Sequence, residues 1–130
     1  MRLSLTSVFV DDQEKAFEFY TKKLGFKKRR DIKIDDSRWL SVYSEEGGKS
    51  IELMLEPNSF ETAKRYQSEL FNSGIPINAF EVDDVEVEHN RLLALDVDFT
   101  IAPSIMGVMK VAIFNDTCGN LIQIYQLLEE

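Results

Sequence analysis

Val10-Asp11-Asp12 returns as Val82-Asp83-Asp84, 72 positions later, each time where a β-rich run gives way to a helical one. At a spacing of 71, Ile51-Glu52-Leu53 answers to Ile122-Gln123-Ile124, Gly48 to Gly119 and Tyr43 to Phe114. Matches that keep one register point to an internal duplication. The one-residue difference between the two spacings reads as a single deletion in a helix-to-strand loop. A chain of 130 residues leaves room for one domain, or for two very small halves sharing a core.

Each half has the order βαβββ. In the first, Leu3–Val10 reads as a strand, and Asp12 caps a helix in which Ala16, Phe19, Tyr20 and Leu24 recur at helical spacing. Gly25 stops that helix, with Lys22 and Lys23 complementing its dipole. Strands follow at Phe26–Asp31, Arg38–Tyr43 and Ser50–Leu55, with turns at Asp35-Asp36 and Gly47-Gly48. Ser59–Asn72, closed by Gly74, reads as a connecting helix. The second half repeats the order: strand Ile77–Val82, helix Val85–Leu95, then strands Asp98–Ile101, Met109–Phe114 and Leu121–Gln126. The fold class is α+β, with modules 1–56 and 75–130 joined by 57–74 in a single domain 1–130. Each half-sheet can bury one face under helices and curve to enclose a cleft with the other.

Composition narrows the partners. Fifteen Lys and Arg against 23 Asp and Glu give a net charge of −8, which argues against nucleic acid. An apolar fraction of 44% is ordinary for a globular chain, and no run is long enough for a membrane span. The amino terminus lacks the apolar core and cleavage site of a signal peptide. Cys118, the single cysteine, fits a reducing cytoplasm, and His89, the single histidine, rules out mechanisms needing two imidazoles in one chain.

Three segments resemble the vicinal oxygen chelate superfamily, which groups glyoxalases, bleomycin-resistance proteins and extradiol dioxygenases. They are Val8-Phe9-Val10-Asp11-Asp12-Gln13-Glu14-Lys15-Ala16 running into Phe19-Tyr20 and Leu24-Gly25-Phe26, then Phe80-Glu81-Val82-Asp83-Asp84, and Phe114-Asn115-Asp116 with Gly119-Asn120-Leu121-Ile122-Gln123. The resemblance implies a curved mixed sheet around a cleft and a homodimer. It also assigns the metal-ligand positions of the family's metal enzymes to Leu5, Glu52, Ile77 and Gln123. Only Glu52 is a good hard-metal ligand. Gln123 offers a carbonyl oxygen, Leu5 and Ile77 offer nothing, and Glu81 lies near a strand end. A catalytic metal commonly takes three protein ligands, so neither a metal nor another cofactor is expected.

Glu52 carries the most information. Period-two alternation turns Ile51, Leu53 and Leu55 toward the helices and Glu52 and Met54 toward the cleft. In an apolar cleft its carboxyl is expected to have a raised pKa, suiting a general base or a hydrogen-bond anchor. Ser7, Phe9, Trp39, Ser41, Met54, Met109, Gln123 and Tyr125 alternate onto the same concave side, a lining suited to a small, mostly apolar organic molecule. The alternatives are a divalent-metal lyase, isomerase or dioxygenase using Glu52 and Gln123, and a cofactor-free enzyme with Glu52 as base. The remaining suggestive residues read as structural. His89 lies on a helix face that packs on the sheet, and Cys118 sits in a turn with no group to activate it. Asp11, Asp12, Asp83 and Asp84 stand at helix starts. Lys22, Lys23, Lys27, Lys28, Arg29 and Arg30 form a solvated helix end and strand edge.

Overall fold

The computed structural model of the protein describes residues 1–128. The chain divides into two compact units, Met1–Lys64 and Arg65–Glu130. The first contains β1 (Leu5–Val10), α1 (Gln13–Glu18) continuing as a π-helical segment (Phe19–Lys23), β2 (Lys27–Ile34), β3 (Ser37–Tyr43) and β4 (Glu52–Pro57). Then α2 (Glu61–Asn72) leads to β5 (Asn78–Glu81), α3 (Val85–Ala94), β6 (Phe99–Met106), β7 (Met109–Asn115) and β8 (Leu121–Leu127). Two mixed four-stranded sheets result, ordered β1-β4-β3-β2 and β5-β8-β7-β6, with the outer pairs β1–β4 and β5–β8 parallel. This is the expected α+β architecture of two βαβββ modules. Among the described residues no helix is long and apolar enough to cross a membrane.

In the first unit, alternation divides the sheet cleanly. Val8, Val10, Leu40, Val42, Leu53 and Leu55 are buried together with Ala16, Phe19 and Tyr20 of the helical segment, which packs against β3 and β4. Burial of side chains this size stabilises by roughly 1.5–3 kcal/mol each. Asp12 caps α1 by accepting from the Lys15 N–H, and the Gln13 side-chain amide donates to the carbonyls of Arg38 and Leu55, pinning the helix start to two strands. In the second unit Val85 and Leu92 of α3 are buried with Val97, Ala112, Phe114, Ile122 and Ile124. The first turn of α3 is capped twice, by Asp84 accepting from Val87 N–H and by Gln126 Oε1 accepting from Val85 N–H.

The structure moves the register shift between the halves. Leu24 N–H reaches back five residues to the Phe19 carbonyl, a π-helical turn that holds one more residue than an α-turn. From cap to left-handed stop the first helix runs Asp12 to Gly25 (φ +88°) and the second Asp84 to Asp96 (φ +64°). The extra residue therefore sits inside the first helix and not in a helix-to-strand loop. A second correction concerns Tyr43. The pairs Ser41↔Met54 and Val42↔Leu53 answer to Val111↔Tyr125 and Ala112↔Ile124, so Tyr43 corresponds to Ile113 and not to Phe114. Phe114 is fully buried on the helix face of its sheet, whereas Tyr43 is half-exposed on the opposite kind of face.

Strand β6 extends five residues beyond the sequence expectation, through Pro103, with its register broken between Ile101 and Ser104. A proline reads as a strand terminator, yet on this edge strand its missing N–H leaves no neighbour unpaired.

Candidate functional site

The face of the first sheet turned away from α1 carries most of the residues singled out by alternation. Ser7, Met54, Ser41 and Arg30 form one row across β1, β4, β3 and β2. Phe9 stands beside Glu56 one step along, its ring edge-on to Phe60 at 5.9 Å. Glu52 pairs with Leu5 and is 9% exposed. Its Oε1 accepts three hydrogen bonds, from Ser41 Oγ at 2.6 Å, Trp39 Nε1 at 3.1 Å and Arg30 Nε at 3.3 Å. Arg30 Nε also lies 3.4 Å from Oε2.

Arg30 belongs to the basic run of β2, for which the sequence predicts a solvated edge. Simple alternation would give it the face of Lys28, which pairs with Val42. A bulge at Arg29 reverses the parity, so Arg30 pairs with Ser41 and its side chain meets Glu52. Arg29 itself lies over the Tyr43 ring, 4.4 Å from its centroid. Nothing in the local sequence announces a bulge, and only the burial of Glu52 hinted that a basic partner was needed.

These contacts overturn the expected direction of the Glu52 pKa. Burial does push the carboxyl up, as alternation suggested. The hydrogen bonds from Ser41, Trp39 and Arg30, with the charge of Arg30, outweigh it and hold the group below its ordinary value. A carboxylate stabilised in its charged form is a poor general base and a good fixed acceptor.

The site also bears on the divalent ion that the resemblance associates with some members. Oε1 is already surrounded by three donors, a guanidinium provides the compensating charge, and Leu5 beside Glu52 has no ligating atom. That set does not fit a divalent cation, which requires open oxygen or nitrogen lone pairs and no adjacent fixed positive charge. Among the described residues no group of three or more His, Cys, Asp or Glu is placed to hold a metal.

In the second unit the corresponding face is plainer. Gln123 stands in register with Ala79 on β5 and Ile113 on β7, Tyr125 with Glu81 and Val111, and Met109 with Met106 and Leu127. Ile77 donates its N–H to Leu121, continuing β5 without bringing a polar side chain to Gln123.

Of the residues read as structural, His89 and Cys118 are packed into the second unit. His89 packs edge-on against Phe99 with ring centroids 4.5 Å apart, and Cys118 is fully buried. The turn around Cys118 holds a polar cluster that the sequence reading did not anticipate. Buried Asp116 accepts from the N–H groups of Cys118 and Asn120 and from Asn120 Nδ2, while Gln67 of α2 donates to the Cys118 carbonyl and Asn120 Oδ1. Every buried side-chain nitrogen and oxygen among the described residues finds a hydrogen-bond partner.

The arrangement can be set beside known proteins. The chain is 47% identical over 126 residues to YurT, an uncharacterized protein of Bacillus subtilis (strain 168), spanning 97% of this chain and 99% of YurT. The crystal structure of UcmS2 shares the fold with a TM-score of 0.82 at 28% identity, covering 96% of this chain and 97% of that one. TnmS3, described as an antibiotic binding protein from Streptomyces sp. CB03234, superposes with a TM-score of 0.78 at 28% identity, covering 98% and 96% of the two chains. With the profile of the Glyoxalase/Bleomycin resistance protein/Dioxygenase superfamily matching residues 2–124, the chain belongs to that superfamily.

Proposed function

We propose that the protein binds a small, mostly apolar organic molecule on the sheet face that carries Glu52, and that it does so without a metal. The observation that carries this reading is the Glu52 cluster. A carboxylate whose Oε1 is engaged by Ser41, Trp39 and Arg30 lies one step along β4 from the row that holds Met54 and Ser7, and Phe9 stands one step beyond that row. Such a surface offers apolar and aromatic area around a few fixed polar groups, which is how small-molecule sites obtain both affinity and orientation. The description of TnmS3 as antibiotic-binding supports the same reading. Met109, Gln123 and Tyr125 line the corresponding face of the second unit, a lining of the same mostly apolar kind. The protein acts as a homodimer in the cytoplasm.

Trp39 is the only tryptophan, so its fluorescence reports directly on this face. Titration with a panel of flat aromatic compounds is expected to quench it saturably and to raise the melting temperature. A panel that produces neither change refutes binding here. Elemental analysis of untagged protein that found one metal per chain would refute the metal-free part, and a monomer in sedimentation velocity would refute the dimer.

A further inference from the structure

We infer that the molecule held on this face carries an anionic oxygen group, a carboxylate or phenolate on a flat aromatic body, and that the terminal nitrogens of Arg30 receive it. The inference rests on the binding reading above and assigns the ligand's polar end. A buried carboxylate such as Glu52 would ordinarily suggest a cationic ligand. Here the carboxylate is engaged by the protein's own donors, Oε1 accepting from Ser41, Trp39 and Arg30 and Oε2 lying 3.4 Å from Arg30 Nε. Of the two charged partners, the one within reach of a ligand is the guanidinium, whose side chain is 51% exposed against 11% for Glu52.

The way Arg30 is held also matters. Its described contacts with Glu52 run through Nε, and among the described residues its Nη nitrogens make no hydrogen bond. Glu52 therefore fixes the plane of the guanidinium from behind and leaves two N–H-bearing nitrogens in a planar fork. That geometry matches a carboxylate edge, and the fixing reduces the side-chain entropy lost on binding. The Trp39 indole is anchored to the same Oε1 through its N–H, so an aromatic ring is fixed within the same cluster.

Charge is distributed to the same end. Residues 1–64 contain twelve Lys and Arg and twelve Asp and Glu, so the whole net charge of −8 belongs to the rest of the chain. Within the first unit, β2 alone bears Lys27, Lys28, Arg29, Arg30 and Lys33. An anion approaching this sheet meets a locally basic edge in an otherwise acidic protein.

The test compares three arenes that differ only in their polar end: naphthoate, naphthamide and naphthylmethylammonium. Each is titrated against Trp39 fluorescence in wild type, R30Q and R30K. Naphthoate is expected to bind the wild type at least about tenfold more tightly than naphthamide, with the ammonium weakest. R30Q should erase the preference for naphthoate, and R30K, which keeps the charge without the fork, should retain only part of it. Naphthoate binding no better than naphthamide, or the ammonium binding best, overturns the assignment while leaving the binding reading intact. Absence of quenching by all three removes the binding reading and this inference together. The ranking on the wild type decides the matter even if a variant folds poorly.

Discussion

Removing the Ser41 hydroxyl tests the Glu52 cluster most directly. Ser41 is fully buried and donates at 2.6 Å to an ionised carboxylate that is itself almost fully buried. A hydrogen bond to a charged group contributes about 1.5–3 kcal/mol, so Ser41→Ala is expected to cost about 2 kcal/mol at about pH 7. With a typical urea dependence for a chain this size, the unfolding midpoint falls by about 1 M. The cost should also depend on pH. The folded Glu52 carboxyl lies below its ordinary value, so its contribution is present above the unfolded value of 4.5 and is lost as pH falls through the folded one. Removing the Ser41 hydrogen bond lets burial raise the folded value toward the unfolded one, so the variant loses less on acidification. The two stability curves therefore converge in acid, where Glu52 is protonated and the missing bond is a neutral one contributing about 1 kcal/mol. Ser7→Ala, on the same face, is the control and should stay within about 0.5 kcal/mol of wild type. Urea unfolding of all three proteins across the acid range supplies the data. A Ser41→Ala cost that is constant with pH, or no larger than that of Ser7→Ala, would refute the reasoning.

Three further outcomes follow from named contacts. Gly119 sits at φ +102°, and a Cβ there would lie 2.7 Å from Gln67 Nε2, so Gly119→Ala should lower stability by about 2 kcal/mol or more in thermal melts, well beyond Gly48→Ala, where the nearest atom is 3.5 Å away. Asp116→Ala deprives two backbone N–H groups and Asn120 Nδ2 of their acceptor inside the protein and should cost about 3 kcal/mol or more, measured by denaturant unfolding. The ion pair between Lys110 and Glu86 at 3.0 Å is solvent-screened, so Glu86→Gln should change stability by no more than about 0.5 kcal/mol, and a loss above 1 kcal/mol would contradict that.

Much of the fold was legible because it rests on local physics. Asp12 and Asp84 cap their helices as short side chains with free carboxylates do anywhere, and Gly25 ends a helix at a backbone angle that suits it. Alternation on β3 and β4 put Trp39, Ser41, Glu52 and Met54 on one face, and the structure agrees. The duplication was visible because both halves solve the same local problem with the same residue types.

What the sequence did not contain was the outcome of contacts between distant segments. The π-helical turn at Phe19–Lys23 absorbs a residue without changing the apolar pattern around it, so the shift looked like a loop deletion. The bulge at Arg29 turned a residue of an exposed basic run into the partner of Glu52, 22 positions away, where it joins Ser41 and Trp39 in holding the carboxyl below its ordinary value. Gln67 reaches the Cys118 turn across 51 residues of sequence. The sequence by itself determined the strands, the caps and the faces, since these depend on neighbours within a turn or a pleat. Only the tertiary structure decided how Glu52 is charged and which group stands before it. That depends on competition between burial and donors brought from β2 and β3, a balance that no single segment encodes.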